Sequence, residues 1–285
     1  MTTRLRLDIA YDGTGFSGWT KQPGLRTVQG VLEDALGVIF SRTGPPPSLT
    51  VAGRTDAGVH ALGQVAHLDL TDEQLESLSR PRGDSPPLGA PASLARRLNG
   101  ITGLHSDVVV NSVTIAPDGF DARFSAEWRR YEYRVSDAGG PRNPLERNRT
   151  LWIPSPLDIL AMDAAAGSLV GLHDWAAYCK PREGATTIRT LQEFRWSRLD
   201  DGLLLASVTA DAFCHSMVRA LVGATIAVGE GKLDPSRLVV LRDELQRSSE
   251  FKVVPARGLT LMRVGYPDDD GLAARAELTR AKRVG

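Results

Sequence analysis

The residues best suited to chemistry lie in one short turn, Gly53-Arg54-Thr55-Asp56-Ala57-Gly58-Val59-His60, directly after an apolar segment. Its two glycines allow the backbone to bend sharply and let a bulky ligand approach, with Asp56 at the tip. An ionised carboxylate in that place can act as a nucleophile. Turns are also rich in Asp because the side chain caps its own loop. The spacing alone leaves a catalytic and a purely local role open.

Arg54 precedes Asp56 by two positions. On extended backbone the two side chains point the same way, and a nearby guanidinium lowers the pKa of a carboxylate and keeps it ionised. A structural ion pair would have the same spacing. Arg54 is therefore a candidate partner of Asp56 under either interpretation.

Other motifs argue against a bound metal or nucleotide. The five histidines are scattered and show no H-E-x-x-H spacing, so no zinc site is predicted. The segment Gly13-Thr14-Gly15-Phe16-Ser17-Gly18 has no following Lys-Ser/Thr and does not match the dinucleotide fingerprint. We expect no metal and no cofactor.

The Arg-rich stretch 123–149 is a candidate phosphate-binding face, since it holds seven Arg and four acidic residues. Within it Tyr131 and Tyr133 alternate with charged residues, the period of a strand with aromatic side chains on one face. Strand Tyr residues usually serve sheet packing. Only the Arg-rich surroundings suggest that these two stack on bases.

The composition of the chain indicates whether it folds and into how many domains. The chain has 285 residues, of which 42% are apolar and 24% charged, so it should fold as one large domain or two small ones. The 34 basic residues balance the 34 acidic residues, so any electrostatic partner must be recognised by local patches.

Cysteine spacing and apolar run length bear on the compartment. Cys179 and Cys214 are 35 positions apart without a C-x-x-C motif, which predicts neither a disulfide framework nor a zinc ribbon. The longest apolar stretch, 220–228, is too short for a bilayer, and the start of the chain lacks the apolar run of a signal peptide. We expect a soluble, cytoplasmic protein with no membrane partner.

Hydrophobic periodicity predicts the elements that position these residues. Strands are predicted at 5–11, 49–53, 64–70, 108–115, 188–199, 203–211 and 259–266, and helices at 28–40, 92–98, 154–169, 215–228 and 235–246. The polar segment 71–91 is expected to be an exposed connection, and the tail after Asp268 is expected to fray.

Strands and helices do not alternate strictly along the chain, which favours an α+β fold with largely antiparallel sheets. We expect two α/β halves, 1–115 with the Asp56 turn and 116–270, followed by a tail at 271–285. The natural position for a site is the groove where the two halves meet.

Four groups of residues together resemble the TruA family of tRNA pseudouridine synthases. They are Tyr11-Asp12-Gly13 with Gly18-Trp19, Ala52-Gly53-Arg54-Thr55-Asp56-Ala57-Gly58-Val59-His60-Ala61 with Gly63-Gln64-Val65, Ala122-Arg123-Phe124-Ser125-Ala126 with Arg130-Tyr131-Glu132-Tyr133, and Phe213-Cys214-His215-Ser216-Met217-Val218-Arg219. The similarity runs in family order over nearly the whole chain.

The resemblance implies the pseudouridine synthase fold, with two halves flanking a central RNA-binding cleft. It also implies a cofactor-independent isomerase that converts uridine to pseudouridine at positions 38–40 of the tRNA anticodon stem-loop, working as a homodimer. Its site residues map onto the nucleophile Asp56, its partner Arg54, Tyr131 stacked on the target base, Arg219 paired with the catalytic carboxylate, and Leu261 as the apolar wall under the uracil.

The implied reaction breaks the bond from ribose C1′ to uracil N1 and joins C1′ to C5. Because nothing is transferred to water, one carboxylate suffices, and attack by Asp56 on C1′ or on uracil C6 stays open. The uridine must first leave its stack, and Arg54 is the candidate to fill the gap. Phosphates would be bound by stretch 123–149, with Lys180, Arg182 and Arg189 as further candidates.

Two other functions compete with this interpretation. A non-catalytic RNA-binding protein of the same fold would not need Asp56. A carboxylate-based glycoside hydrolase would need a second acid near the first, and the nearest downstream candidate, Asp69, is expected on a strand away from the turn.

Overall fold

The computed structural model describes residues 2–80, 88–182, 184 and 186–284, and the chain forms two compact units. Unit 1 comprises Met1–Glu127 and Val264–Gly285, and unit 2 comprises Trp128–Arg263. The division into 1–115, 116–270 and a tail stays a prediction.

Strands and helices occur in both units. The strands are β1 Thr2–Tyr11, β2 Thr50–Val51, β3 His60–Thr71, β4 Val108–Ile115, β5 Trp128–Ser136, β6 Leu151–Trp152, β7 Gly171–Asp174, β8 Ile188–Arg198, β9 Leu204–Ala210 and β10 Leu259–Gly265. The helices are α1 Val28–Ile39, α2 Asp72–Ser79, α3 Ala90–Thr102, α4 Ile159–Gly167, α5 Met217–Gly229, α6 Arg237–Asp243 and α7 Leu272–Val284.

The sheet of unit 1 is antiparallel, with β1 between β3 and β4 and with β2 paired to β3. Leu5, Leu7 and Ile9 are fully buried, as their alternation with polar residues predicts. Helix α1 begins where expected, because the Thr27 hydroxyl accepts a hydrogen bond from the Gly30 N–H. The predicted strand at 108–115 is confirmed as β4.

The expectation of an exposed connection at 71–91 is wrong at 72–79 and at 90–91, which are helical. Helix α2 begins directly after Thr71, whose hydroxyl accepts from the Gln74 N–H while the Gln74 side chain accepts from the Thr71 N–H. This capping box is a sequence signal for a helix start. Helix α3 begins at Ala90, and residues 81–87 lie outside the described part of the chain.

The expectation of a frayed tail is also wrong. A short 3-10 turn at Asp269–Gly271 leads into α7, on which Leu272 and Ala276 are buried. The Ser125 hydroxyl donates to the Leu272 carbonyl at 3.1 Å. Tertiary packing within unit 1 thus holds a segment that has a polar composition.

The sheet of unit 2 has the order β5-β9-β8-β7, antiparallel throughout, with β6 added parallel to β5. The predicted strands at 188–199 and 203–211 are confirmed as β8 and β9, which pair as an antiparallel hairpin. Tyr131, Tyr133 and Val135 are buried on one face of β5, as predicted. Helix α4 begins later than expected, because Asp158 caps it.

Helix α5 is buried along its whole length from Ala220 to Gly229. Its apolar character therefore reflects a position inside unit 2. In the parts of the chain that the structure describes, every helix is too short or too polar to cross a membrane.

Cys179 and Cys214, whose spacing predicted no disulfide framework, form a disulfide in unit 2, with their Cα atoms 5.8 Å apart. Backbone contact brings the two segments together, since the Lys180 N–H donates to the His215 carbonyl at 2.9 Å. A spacing of 35 residues conceals such a tertiary contact.

Two helical glycines should respond in opposite ways to Ala. On α1 a Cβ at Gly37 meets nothing within 4 Å, so Gly37→Ala should raise the free energy of unfolding by about 0.5–1 kcal/mol. On α5 a Cβ at Gly223 would lie 1.9 Å from the Lys252 carbonyl oxygen, so Gly223→Ala should lower it by about 1–3 kcal/mol. Urea denaturation measures both, and equal stability of the two variants would contradict the packing of α5.

Candidate active site

The Asp56 turn joins β2 to β3 within unit 1. Asp56 is half-buried, and Arg54 and Ala57 are exposed. The Val59 N–H donates to the Asp56 carbonyl at 3.2 Å, and Gly58 has a φ of +76°, a conformation that favours glycine. The structure thus places Asp56 at a tight bend, as the sequence indicates.

The segment Asp12–Trp19 supports this bend through its backbone. The Trp19 N–H donates to the Thr55 carbonyl at 3.1 Å, and the Gly58 N–H donates to the Phe16 carbonyl at 3.2 Å. A Cβ at Gly13 would lie 2.1 Å from the Val59 carbonyl oxygen. The glycines of this segment therefore allow two backbone segments to touch.

Three buried side chains lie behind the turn. The hydroxyls of Tyr11 and Thr55 are 2.8 Å apart, and the Gln64 amide N–H donates to the Tyr11 oxygen at 3.1 Å and to the Gly53 carbonyl at 2.9 Å. Burial raises the pKa of Tyr11 to about 12, so its hydroxyl keeps its proton. Sequence reasoning assigned no role to these groups. The available signal was the polar residue Gln64 at the start of the predicted strand 64–70, directly before the apolar pair Val65-Ala66.

His60 connects the turn to Asp12. Its Nδ1 accepts from the Gly13 N–H at 3.1 Å and lies 3.0 Å from a carboxylate oxygen of Asp12, which also accepts from the Thr14 N–H at 2.9 Å. His60 is thus part of the packing between the two loops. Among the residues that the structure describes, no three His, Cys, Asp or Glu side chains are grouped as metal ligands would be.

Arg54 lies two residues before Asp56 in the turn, and its side chain is exposed. The role of Arg54 toward the carboxylate stays a prediction.

The other three predicted site residues belong to unit 2. Tyr131 lies on β5 with 8% of its surface exposed, and its ring meets Phe213 edge-on with the centroids 5.2 Å apart. Arg219 lies in the first turn of α5, where its Nε donates to the Val254 carbonyl at 2.7 Å. Leu261 lies on β10 and is fully buried. Sequence reasoning gave Phe213 no role, although it stands in a quoted motif.

The Arg-rich stretch is only partly available to a ligand. Arg129 is buried and donates to the Asp211 carbonyl, and Arg149 pairs with Glu146. Arg130 and Arg147 are exposed. Of the additional candidates, Arg189 donates to the carbonyls of its own segment, whereas Lys180 and Arg182 are exposed.

His67 on β3 holds the start of that stretch. Its Nδ1 accepts from the Ala122 N–H at 3.0 Å, which requires an unprotonated nitrogen. Burial, with the nearby Arg4 guanidinium adding to it, lowers the pKa of His67 to about 4. The Asp121 carboxylate accepts from the Arg123 and Phe124 N–H groups and shapes the following turn.

Comparison with known proteins identifies the class of enzyme to which this chain is similar. A family model described as tRNA pseudouridine synthase matches residues 165–267. That range covers most of unit 2, including Arg219 and Leu261.

Full-length relatives narrow the class to one family. A tRNA pseudouridine synthase A from Leifsonia xyli subsp. xyli is 64% identical over 99% of this chain and 98% of its own length. Proteins of the same name from Frankia casuarinae and Streptomyces avermitilis are 54% and 53% identical, each over 99% of this chain and over 96% and 94% of their own lengths. The chain belongs to the tRNA pseudouridine synthase A family, which confirms the resemblance stated above.

The lowered pKa of His67 makes stability depend on pH. The unfolded chain takes up a proton near the ordinary His value of 6.5, whereas the folded chain does so only near 4. The contribution of His67 to the free energy of unfolding should therefore be complete above about pH 6.5. It should decrease as the pH falls toward 4, by up to about 1.4 kcal/mol per pH unit. His67→Gln should flatten this slope in urea denaturation, while His105→Gln, at an exposed site, should leave it unchanged. If the wild type, His67→Gln and His105→Gln all showed the same dependence of stability on pH, the lowered pKa of His67 would be contradicted.

Proposed function

We propose that this chain isomerises uridine to pseudouridine in tRNA, with Asp56 as the nucleophile. The observation that carries the proposal is a half-buried carboxylate on a bend held by backbone and side-chain hydrogen bonds, in a member of this family. The target is uridine at positions 38–40 of the anticodon stem-loop. The enzyme acts in the cytoplasm as a homodimer.

The chemistry fits a site with one carboxylate. The C1′–N1 bond breaks and a C1′–C5 bond forms, the proton at C5 is lost and N1 gains one, so no water is consumed. Asp56 attacks C1′ or uracil C6 and leaves again when the new bond has formed. The detached base must be kept in place while it turns, which requires stacking and exclusion of water.

Tyr131 is the proposed stacking platform. Phe213 meets its ring edge-on at an interplanar angle of 89°, which fixes the ring plane from one side. A phenol beside the base can also assist removal of the C5 proton. We assign Arg219 to the pairing with the catalytic carboxylate and Leu261 to the apolar wall under the uracil.

Arg54 is proposed to enter the space that the uridine leaves. Its side chain is exposed next to Asp56, so we assign its guanidinium to contact with RNA. A planar guanidinium stacks on bases and binds phosphate, both of which offset the cost of unstacking.

The hydrolase alternative finds no support in the structure. Its second acid, Asp69, is held by Arg4 through two hydrogen bonds of 2.7 and 2.8 Å. These bonds lower the pKa of Asp69, so the carboxyl is not poised to donate a proton. Asp69 instead stabilises the pairing of β1 with β3.

Asp56→Asn should lower the rate of pseudouridine formation by at least about a thousandfold, because the amide is not a nucleophile. Unmodified tRNA transcript is incubated with each protein, and pseudouridine is mapped by nucleotide. Asp34→Asn, at an exposed position on α1, is the control and should retain full activity. Equal product from Asp56→Asn would end the nucleophile assignment. Product only outside the anticodon arm would overturn the assigned positions.

Binding of tRNA should weaken steeply with added salt, because Arg contacts displace counterions from phosphates. Arg130→Gln should reduce the slope of log K against log salt concentration by about one. Arg237→Gln is the matched control, since its guanidinium is already held by Glu244 and Glu250 at 2.7 Å each. A filter-binding series measures the slopes. A flat response of the wild type would remove the Arg-rich stretch from the RNA interface.

A further inference from the structure

The buried hydrogen bonds behind the Asp56 turn form one connected network. Gln64 on β3 is 0% exposed, Tyr11 at the end of β1 is 5% exposed, and Thr55 in the turn is 6% exposed. The two N–H groups of the Gln64 amide have separate acceptors, the Tyr11 oxygen and the Gly53 carbonyl. The Tyr11 hydroxyl in turn meets the Thr55 hydroxyl.

This network fixes the residue directly before Asp56. Thr55 is held by its side chain through Tyr11 and by its carbonyl through the Trp19 N–H. Gly53, two residues earlier, is held by Gln64. The backbone that leads into Asp56 is therefore tied to two strands of the unit 1 sheet.

Filling of the core does not require these polar groups. A buried amide and a buried phenol cost free energy unless their partners are in place, and Phe and Leu would occupy similar space without that cost. The polar groups instead fix the position of the turn, because each hydrogen bond holds one atom of the turn relative to β1 or β3.

We propose that Tyr11 and Gln64 are positioning residues that set the location of the Asp56 carboxylate through Thr55 and Gly53. This inference rests on the proposed role of Asp56 as the nucleophile. We assign neither residue a contact with the substrate, since their polar groups are hydrogen-bonded to Thr55, to Gly53 and to one another. Loss of either should therefore reduce the rate of the chemical step and leave tRNA binding intact, because catalysis is sensitive to displacements of about 1 Å.

The first test replaces Tyr11 by Phe, which keeps the ring and removes the hydroxyl. We expect kcat to fall about 10- to 100-fold, with KM for tRNA changed less than about twofold. Tyr178→Phe is the matched control, because Tyr178 is equally buried and its hydroxyl donates to the Leu238 carbonyl at 2.8 Å in unit 2. Both variants should lose similar thermal stability, and only Tyr11→Phe should lose kcat.

The second test asks whether Tyr11 acts through Thr55. Thr55→Val removes the hydroxyl at nearly constant shape, and Thr55→Ser keeps it. The double variant Tyr11→Phe/Thr55→Val should show the same kcat as Tyr11→Phe, since Tyr11→Phe already removes the hydrogen bond between Tyr11 and Thr55. Thr55→Ser should retain most of the activity. Losses that multiply in the double variant would overturn the coupling.

Hydrogen exchange supplies a readout that does not depend on activity. Amides of residues 54–58 should exchange faster in Tyr11→Phe and in Gln64→Leu than in wild type or Tyr178→Phe, because the turn loses its ties to the sheet. Unchanged exchange at 54–58 together with unchanged kcat would overturn the positioning role. If the wild type forms no pseudouridine, or Asp56→Asn remains active, the proposed function fails. The exchange result still decides whether Tyr11 and Gln64 hold the turn.

Discussion

Backbone contact between the segment Asp12–Trp19 and the Asp56 turn is the constraint on which the site depends. At Gly13 the approach is so close that a side chain would collide with the Val59 carbonyl oxygen, and at Gly18 a Cβ would lie 3.0 Å from the Thr55 carbonyl oxygen. Hydrogen bonds from Trp19 and Gly58 close the contact on both sides of Asp56. Two loops that would each move alone thus restrain one another, and the carboxylate inherits a fixed position.

The sheet of unit 1 extends this restraint into the core. Strand β1 delivers Tyr11 and β3 delivers Gln64 to the back of the same turn, and the register between the strands brings the two side chains within hydrogen-bond distance. A slip of one residue in that register would place the two side chains on opposite faces of the sheet. The apolar alternation Leu5, Leu7 and Ile9, which sets the register, therefore contributes to the geometry of the site.

Local patterns predicted local structure well in this chain. The strand at β1, the start of helix α1 and the aromatic face of β5 are all confirmed. The failures lie where tertiary contacts decide. Helix α7 is ordered by packing on unit 1, and the Cys179–Cys214 bond joins segments that their spacing does not relate. Helix α2 is a different case, because the sequence contains its capping box, Thr71 and Gln74. The polar composition of the segment favoured a connection instead of a helix.

The same distinction applies to the candidate site. The type and turn context of Asp56 are local properties, and the sequence displays them. The partners of the turn are not local, because Tyr11, Trp19 and Gln64 come from separate parts of unit 1. A rearrangement that conserves every atom of its substrate needs few reacting groups, so the demand on the protein shifts from the number of such groups to the accuracy with which one is held. That demand explains why so many buried hydrogen bonds converge on a turn that carries a single carboxylate.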